Sequence, residues 1–565
     1  MTTLAAGRYG RVRAADVASA MANTAYVRLM ALLLLFAIAI LVILLRLASF
    51  AIFEQRVDLR REGTMFVPQR GDIVDRNGEP LARTISGYAV WVKPAELFGD
   101  RMELARQLNA IFPDTGVDEF YAKLTAKKPG YLRKRALPSE VAAVHALGEI
   151  AIEFPREAER LYPEGHSAAH VTGFIDQAGV GAMGMERVLQ ARLSNPDTRG
   201  KPVHLSIDMR VQSALTSELA DGIQRTNASG AAGVVLDVET GEVIAMTSLP
   251  SFDPNKFGAR EIPHQVNVVT NSVYELGSTF KPLTVAAALD AGTVRNLAVR
   301  YDATGPLKVG GFSIRDSHNM GRWLNVPEAL VHSSNVVTAR IADNLGQAAM
   351  ERMLRNLGLH DRPAIELKER ARPLWPSNWG RITNMTVGYG HGIAVTPLHL
   401  ASAYAALVNG GVWRPATLLR IKADDAPRGR RVFTAATSAR MRQLLRMIVV
   451  DGTGTKADAP GFRVGGKTGS AEKPHNGGYA RNSVVSTFAA AFPMDNPRYV
   501  IIAMLDEPRG TEASSFQRTA GFTAAPVVGR LVPRIGPMLG IIPDTSRDVD
   551  VSELTPLLWT PKGGG

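Results

Sequence analysis

Ser278 and Lys281 stand three residues apart in Tyr274-Glu275-Leu276-Gly277-Ser278-Thr279-Phe280-Lys281. On a helix, residues i and i+3 share a face, with Cβ atoms about 5–6 Å apart, so hydroxyl and amine would meet. The apolar run Leu283 to Leu289 predicts that helix, and Gly292 is the kind of residue that ends one. Pro282 is tolerated only in a first turn, which sets Ser278 at the helix start. Free N–H groups and the dipole favour developing negative charge there. A serine, a neighbouring amine and an anion-stabilising helix end are the parts of an activated nucleophile. The pattern alone is weak. It arises about once by chance in a chain of this length, and a helix start with a solvated lysine is its commoner cause.

The elements around this pair must therefore decide. The chain has 565 residues, enough for several structural units, with 45% hydrophobic and 21% charged residues, as in a folded protein. Its net charge of +12 would suit an anionic polymer or a membrane surface. The basic residues are scattered without interleaved aromatics, however, so no nucleic-acid partner is expected. There are no cysteines, which excludes disulfides and thiolate catalysis.

From Leu29 to Leu45 no side chain is polar, and the apolar character resumes through Phe53. That length predicts a transmembrane anchor. The rival is a cleaved signal peptide with Ser49-Phe50-Ala51 as cleavage site, although the run exceeds the usual 7–15 residues. Arg8, Arg11, Arg13 and Arg28 precede the segment and Arg56, Arg60 and Arg61 follow it, too even a balance to orient it.

Arg70 to Gly78 reads as a short strand with an Asn-Gly turn, followed by strand Tyr88 to Val92 and by amphipathic helices at 102–111 and 139–147. No catalytic set, metal-type histidine pairing or repeat occurs between residues 55 and 215, which read as a spacer or interaction module. Beyond it, Gly233 to Asp237 and Glu242 to Met246 form a predicted hairpin. Three further strands are expected at 463–468, 484–492 and 499–505, and a C-terminal helix from Ala525 to about Leu539. Together they predict an α+β fold, a five-stranded antiparallel sheet built from both ends of the domain, with a helical insert over about 275–450 carrying the serine.

Two more motifs follow Ser278. Val326-Pro327 opens a helix that runs into Ser333-Ser334-Asn335, a second hydroxyl and a carboxamide that would orient a lysine or a substrate amide, or simply a turn. Lys467-Thr468-Gly469-Ser470 on a strand offers an ammonium, hydroxyls and close backbone approach, suited to a carboxylate and an oxyanion. Gly461 to Thr468 also matches a phosphate loop. That reading requires a buried strand before it and a helix after it, whereas Pro460 precedes it and Pro474, Gly477 and Gly478 follow.

Ser278-x-x-Lys281, Ser333-x-Asn335 and Lys467-Thr468-Gly469, in this order, resemble the motif set of penicillin-binding proteins and class A β-lactamases. Gly71 to Gly78 resembles the head of the pedestal in class B penicillin-binding proteins. Gly388-Tyr389-Gly390 with Thr396-Pro397, and Gly452 to Thr455, resemble other stretches of their transpeptidase domain. Within class B, the anchor, the pedestal and Asn271 to Gly277 are most similar to septal members. Elongation-specific members more often have proline where Leu276 stands, and Ser334 replaces the aspartate of the second motif. The resemblance implies a cytoplasmic segment at 1–28, an anchor at 29–53, a dimerisation-type pedestal at 54–215, a transpeptidase domain at 216–545 and a tail at 546–565.

It further implies acyl transfer from D-Ala-D-Ala stem peptides, with Ser278 as nucleophile, Lys281 as base, Ser333 as proton relay and Asn335 as orienting group. Lys467 would supply positive potential. Thr468, Gly469 and Ser470 would bind the carboxylate, and the N–H groups of Ser278 and Ser470 would form the oxyanion hole. No metal or organic cofactor is implied. The implied partners are peptidoglycan stem peptides, β-lactam antibiotics, a membrane-embedded lipid II polymerase and other division proteins. The substrate would set the catalytic domain outside the inner membrane. A carboxypeptidase, a β-lactamase, a β-lactam sensor and a non-catalytic division scaffold remain alternatives.

Overall fold

The computed structural model describes residues 27–44, 70–176, 178–256, 264–475 and 478–559. The cytoplasmic segment expected at 1–28 lies almost wholly outside them, as do residues 45–53 of the anchor, with the cleavage-like Ser49 to Ala51, and the last six residues of the tail. Helix α1 (Val27–Leu44) has a mean hydropathy of 3.0 and no buried residues, so it is long and apolar enough to cross a membrane.

The rest of the chain divides into two compact units, one containing residues 88–157 and the other the described residues of 67–87 and 158–565. In the first, the end of strand β2 (Pro80–Val92) pairs antiparallel with β3 (Gly130–Ala136), between helices α2 (Arg101–Ile111), α3 (Val117–Leu124) and α4 (Pro138–His145). Asp100 caps α2 by accepting the Met102 and Glu103 N–H groups. Val90, Val92, Leu108, Phe112, Phe120 and Leu132 form its core.

In the second unit, strand β1 (Ile73–Val74) lies antiparallel to the start of β2 and parallel to β4 (Val203–His204). The Asn-Gly turn between β1 and β2 is present, with Gly78 at φ 98°. The buried Asp75 carboxylate accepts the N–H groups of Asn77, Glu79 and Met209, fastening this turn to helix α5 (Met209–Thr226). The boundary expected at 215/216 falls within α5.

The expected sheet is present. Its strands are β5 (Gly230–Asp237), β6 (Val243–Leu249), β7 (Gly465–His475), β8 (Gly478–Phe492) and β9 (Tyr499–Asp506). They run antiparallel in the order β7-β8-β9-β5-β6, with Lys467 opposite Ala489, Phe488 opposite Ala503, Ile502 opposite Val234, and Val234 opposite Met246. Successive side chains on a strand point to opposite faces. Val235, Ile501 and Ala503 thus pack on α5 and the C-terminal helix, through Leu215, Leu219, Val527 and Leu531. Val234, Ile502 and Met504 join the cluster containing Leu283 and Tyr404 of the helical insert. Burial on both faces explains why β9 reads as a continuous apolar run.

Four helices of the insert carry or brace the motifs: α6 (Lys281–Asp290), α7 (Val326–Val331), α8 (Asn335–Leu345) and α9 (Pro397–Val408). All twelve residues of α9 are buried, in keeping with a helix that is apolar on every side. Helix α10 (Ala435–Asp451) leads back to β7, and α11 (Ala524–Met538) is the expected C-terminal helix. Residues 465–475 are strand, and Gly461 to Thr468 opens no helix, so the phosphate-loop geometry is absent.

Candidate active site

Ser278 does not begin an α-helix, as the sequence predicts, but lies in a 3₁₀ turn, Gly277–Phe280, that runs into α6. The Lys281 N–H donates to the Ser278 carbonyl. A 3₁₀ turn has about three residues per turn, so positions i and i+3 eclipse and Ser278 and Lys281 still share a face. Among the described residues no hydrogen bond joins their side chains, and the Lys281 amine is engaged by Ser333. Pro282 falls in the first turn of α6, and Gly292, at φ 67°, follows its end.

Backbone contacts fix this turn from two sides. The Gly277 N–H donates to Gly390 O (3.2 Å), and a Cβ on Gly390 would lie 2.1 Å from Gly277 O. On the other side is β7, the edge strand, where a Cβ on Gly469 would lie 2.5 Å from Leu276 O and 2.7 Å from Thr279 Cγ2. The glycine of the third motif thus admits the serine turn itself. Tyr404 Oη on α9 donates to Thr279 O (2.8 Å), and Thr284 Oγ1 to Gly388 O (2.7 Å).

Lys281 and Lys467 have no exposed surface, and Ser333 lies between them. Lys281 Nζ meets Ser333 Oγ at 3.1 Å and also donates to Ser333 O; Lys467 Nζ meets the same Oγ at 3.0 Å. Ser333 occupies the left-handed region at φ 61°, an uncommon conformation for a serine, just after α7. Lys467 Nζ also donates to Thr468 O and Oγ1, each at 3.1 Å, and Thr468 Oγ1 lies 2.8 Å from Thr453 Oγ1. Burial, reinforced by the Lys467 charge and opposed by Asp316, holds the Lys281 amine well below its usual range. Burial brings Lys467 down to about 7.

The second motif is anchored by Asp316, a residue without a local sequence signal. Its carboxylate accepts from Ser334 Oγ (2.7 Å), Asn335 N (2.5 Å) and Val336 N (2.9 Å) at the start of α8. Ser334 is the N-cap of α8 and accepts from Val337 N at 3.1 Å. Asn335 donates its amide to Arg315 O at 2.9 Å; among the described residues no hydrogen bond joins it to Lys281. Ser470 Oγ accepts from Ala520 N (3.0 Å), so its hydroxyl is engaged away from the serine turn. Thr453 belongs to a stretch noticed in the sequence, but its bond to Thr468 depends on the end of α10 meeting β7.

Residues 231–532 match the family model of the penicillin binding protein transpeptidase domain. The chain belongs to this family. Residues 66–204 match the penicillin-binding protein dimerisation domain, so this penicillin-binding protein has the class B arrangement. It is 40% identical over 482 residues to the probable peptidoglycan D,D-transpeptidase FtsI of Caulobacter vibrioides, covering 84% of this chain and 82% of the relative. To peptidoglycan D,D-transpeptidase FtsI of Escherichia coli K12 it is 29% identical, covering 86% of each. Among solved structures it is similar to penicillin-binding protein 3 of Mycobacterium tuberculosis complexed with aztreonam, with a TM-score of 0.66 and 26% identity over 84% of this chain and 97% of that one. The transpeptidase domain of penicillin-binding protein 3 from Burkholderia pseudomallei matches with a TM-score of 0.54 and 31% identity over 60% and 97%.

Proposed function

We propose that this protein is the D,D-transpeptidase that cross-links peptidoglycan stem peptides at the division septum through an ester on Ser278. The observation that carries this reading is the pair of buried lysines meeting on Ser333 Oγ beside the serine turn. Ser278 Oγ attacks the carbonyl between the two terminal D-alanines, and its proton passes to the neutral Lys281 amine. Such an amine retains N–H donors for Ser333 O while its lone pair takes a proton. The C–N bond then breaks, and Ser333 relays a proton to the leaving D-Ala. An amine of a second stem peptide attacks the ester, forms the cross-link and returns the proton to Ser278.

The oxyanion is stabilised by the N–H groups of Ser278 and Ser470. A Cβ on Gly277 would lie 3.3 Å from Ser470 O. In a strand a residue's N–H and C=O point to the same side, so the Ser470 N–H is also available to the serine turn. Removal of one such donor typically costs about 2.7–4 kcal/mol. Thr468, held by Thr453 and Lys467, binds the terminal carboxylate, and Lys467 adds positive potential whenever it is protonated. Asn335, heading α8, receives the donor's amide. β-Lactams mimic the donor and remain esterified to Ser278.

The septal assignment rests on the division-type relatives, and stem peptides outside the cytoplasmic membrane set α1 as an inner-membrane anchor with the catalytic unit beyond it. A membrane-embedded lipid II polymerase and other division proteins are the partners this role requires. The test is to incubate the detergent-solubilised full chain with labelled penicillin and map the label. Label on the Ser278 peptide, lost in Ser278→Ala, is expected. Absence of label, or normal septation in a depleted strain carrying Ser278→Ala, overturns the reading.

A further inference from the structure

Beyond α11 the described residues, through Trp559, belong to the same compact unit as the sheet. Asp544 N donates to Gly461 O (2.9 Å), and Arg463 Nη1 to Asp544 O (3.1 Å), at the root of β7. Arg446 of α10, only 7% exposed, is the next attachment. Its Nε and Nη2 reach Asp548 at 2.9 and 2.7 Å, while its Nη1 holds Asp458 Oδ1 (2.7 Å) and Val464 O (2.9 Å), three residues before Lys467. The chain then crosses α10, where Gln443 donates to Asp550 O (2.8 Å), and inserts the buried Leu554.

Its far end meets a different wall of the cleft. Asn325 Nδ2 donates to Leu557 O (2.7 Å), and Trp559 N to Glu328 Oε1 (3.1 Å). Asn325 and Glu328 form the capping box of α7, the helix whose end delivers Ser333. Glu328 is wholly buried and also binds Arg322 (2.6 Å), whose guanidinium lies 5.0 Å from the Trp559 ring centroid. One end of the segment therefore holds the strand of Lys467, and the other holds the helix of Ser333.

We infer that residues 543–559 are a clasp that keeps Ser333 and Lys467 at one fixed separation. Asp548, Leu557 and Trp559 are its positioning residues for the acylation of Ser278. This inference rests on the acyl-enzyme reading above. A buried guanidinium (Arg446) at one end receives the partly exposed Asp548, and a buried carboxylate (Glu328) at the other receives a main-chain N–H, so each end is specific in geometry. A misplacement of about 1 Å in a catalytic constellation costs about 10²-fold in rate, and the Lys281–Ser333–Lys467 contacts, at 3.0–3.1 Å, leave no more slack than that.

A tether cut at either end no longer acts, which gives the test its discriminating form. In the full chain, Asp548→Ala loosens the β7 end, leaving Arg446 still paired with Asp458. A stop at position 555 removes the α7 end, and the two are combined. Labelling of Ser278 in the unaltered chain checks the underlying reading; the second-order labelling rates of the variants check the clasp. Each change is expected to slow labelling by about 10–100-fold, and the combination to be no slower than the worse single change. Separation from Lys467 should also move the acid limb of the rate to higher pH, with Asp316 and His391 still facing Lys281. Wild-type rates in the folded variants, or losses that multiply with an unmoved acid limb, would overturn the inference. If the truncated chain does not fold, Asp548→Ala and Trp559→Ala decide by the same criteria.

Discussion

Lys281 and Lys467 come from a helix and from the edge strand of a sheet, 186 positions apart in the chain, and their Nζ atoms lie 3.1 and 3.0 Å from the single oxygen Ser333 Oγ. Both amines are fully buried. Two charged ammonium groups so placed would repel each other and lack water, so the arrangement favours at least one neutral amine. The proton-accepting capacity of the cleft thus follows from where these lysines are held.

Ser333→Ala should retain the backbone at φ 61°, which is no worse for alanine than for serine, but remove the shared partner of both amines. Proton relay typically contributes about 10²–10⁴-fold. A fall of that order in labelling of Ser278 by a penicillin is expected, with the thermal midpoint changed by only a few degrees.

The folded state binds fewer protons at Lys467 than the unfolded chain does, because burial lowers this lysine from 10.5 to about 7. Stability should therefore rise with pH between about 7 and 10.5, by at most about 1.4 kcal/mol per pH unit from this residue. Denaturant titrations of the parent and Lys467→Met across that window should diverge in slope, the variant being the flatter.

Gly390→Ala forces a Cβ to within 2.1 Å of Gly277 O, and Gly469→Ala to within 2.5 Å of Leu276 O, so in both the serine turn must shift. Gly392 also has a positive φ, 79°, but a Cβ there has nothing closer than 3.6 Å. Alanine at 390 or 469 is expected to slow acylation by about 100-fold. Alanine at 392 should cost only the backbone strain, about 1–2 kcal/mol, with acylation nearly retained.

Asp316→Asn weakens the cap of α8, at an expected cost of about 0.5–2 kcal/mol in unfolding free energy. It also removes the carboxylate that favours the charged form of Lys281. The lysine then stays neutral to lower pH, so the acid limb of the acylation rate should move downward. Rates of penicillin labelling between about pH 5 and 9 would show this.

The three motifs, the strands of the sheet and the apolar first helix were legible in the sequence because each depends on neighbours in the chain. Alternating or continuous apolar runs record which faces are covered, and Pro282 and Pro327 record where helices begin. The 3₁₀ form of the serine turn was not legible, since Gly390, Gly469 and Tyr404 impose it from elsewhere. Asp316 was missed for the same reason: it stands eighteen positions before Ser334, which it binds. Asn335 carries the motif's identity but not its contact, because Arg315 O takes its amide.

The segment after α11 reads in sequence as a tail, and only its attachments to α7, α10 and the root of β7 reveal what it touches. By itself the sequence determined the chemistry on offer, two serine hydroxyls and two lysine amines on elements legible from their patterns. The tertiary structure decided that the lysines share one oxygen away from water. Burial and long-range hydrogen bonds, which no local pattern encodes, set which of these groups carries a proton.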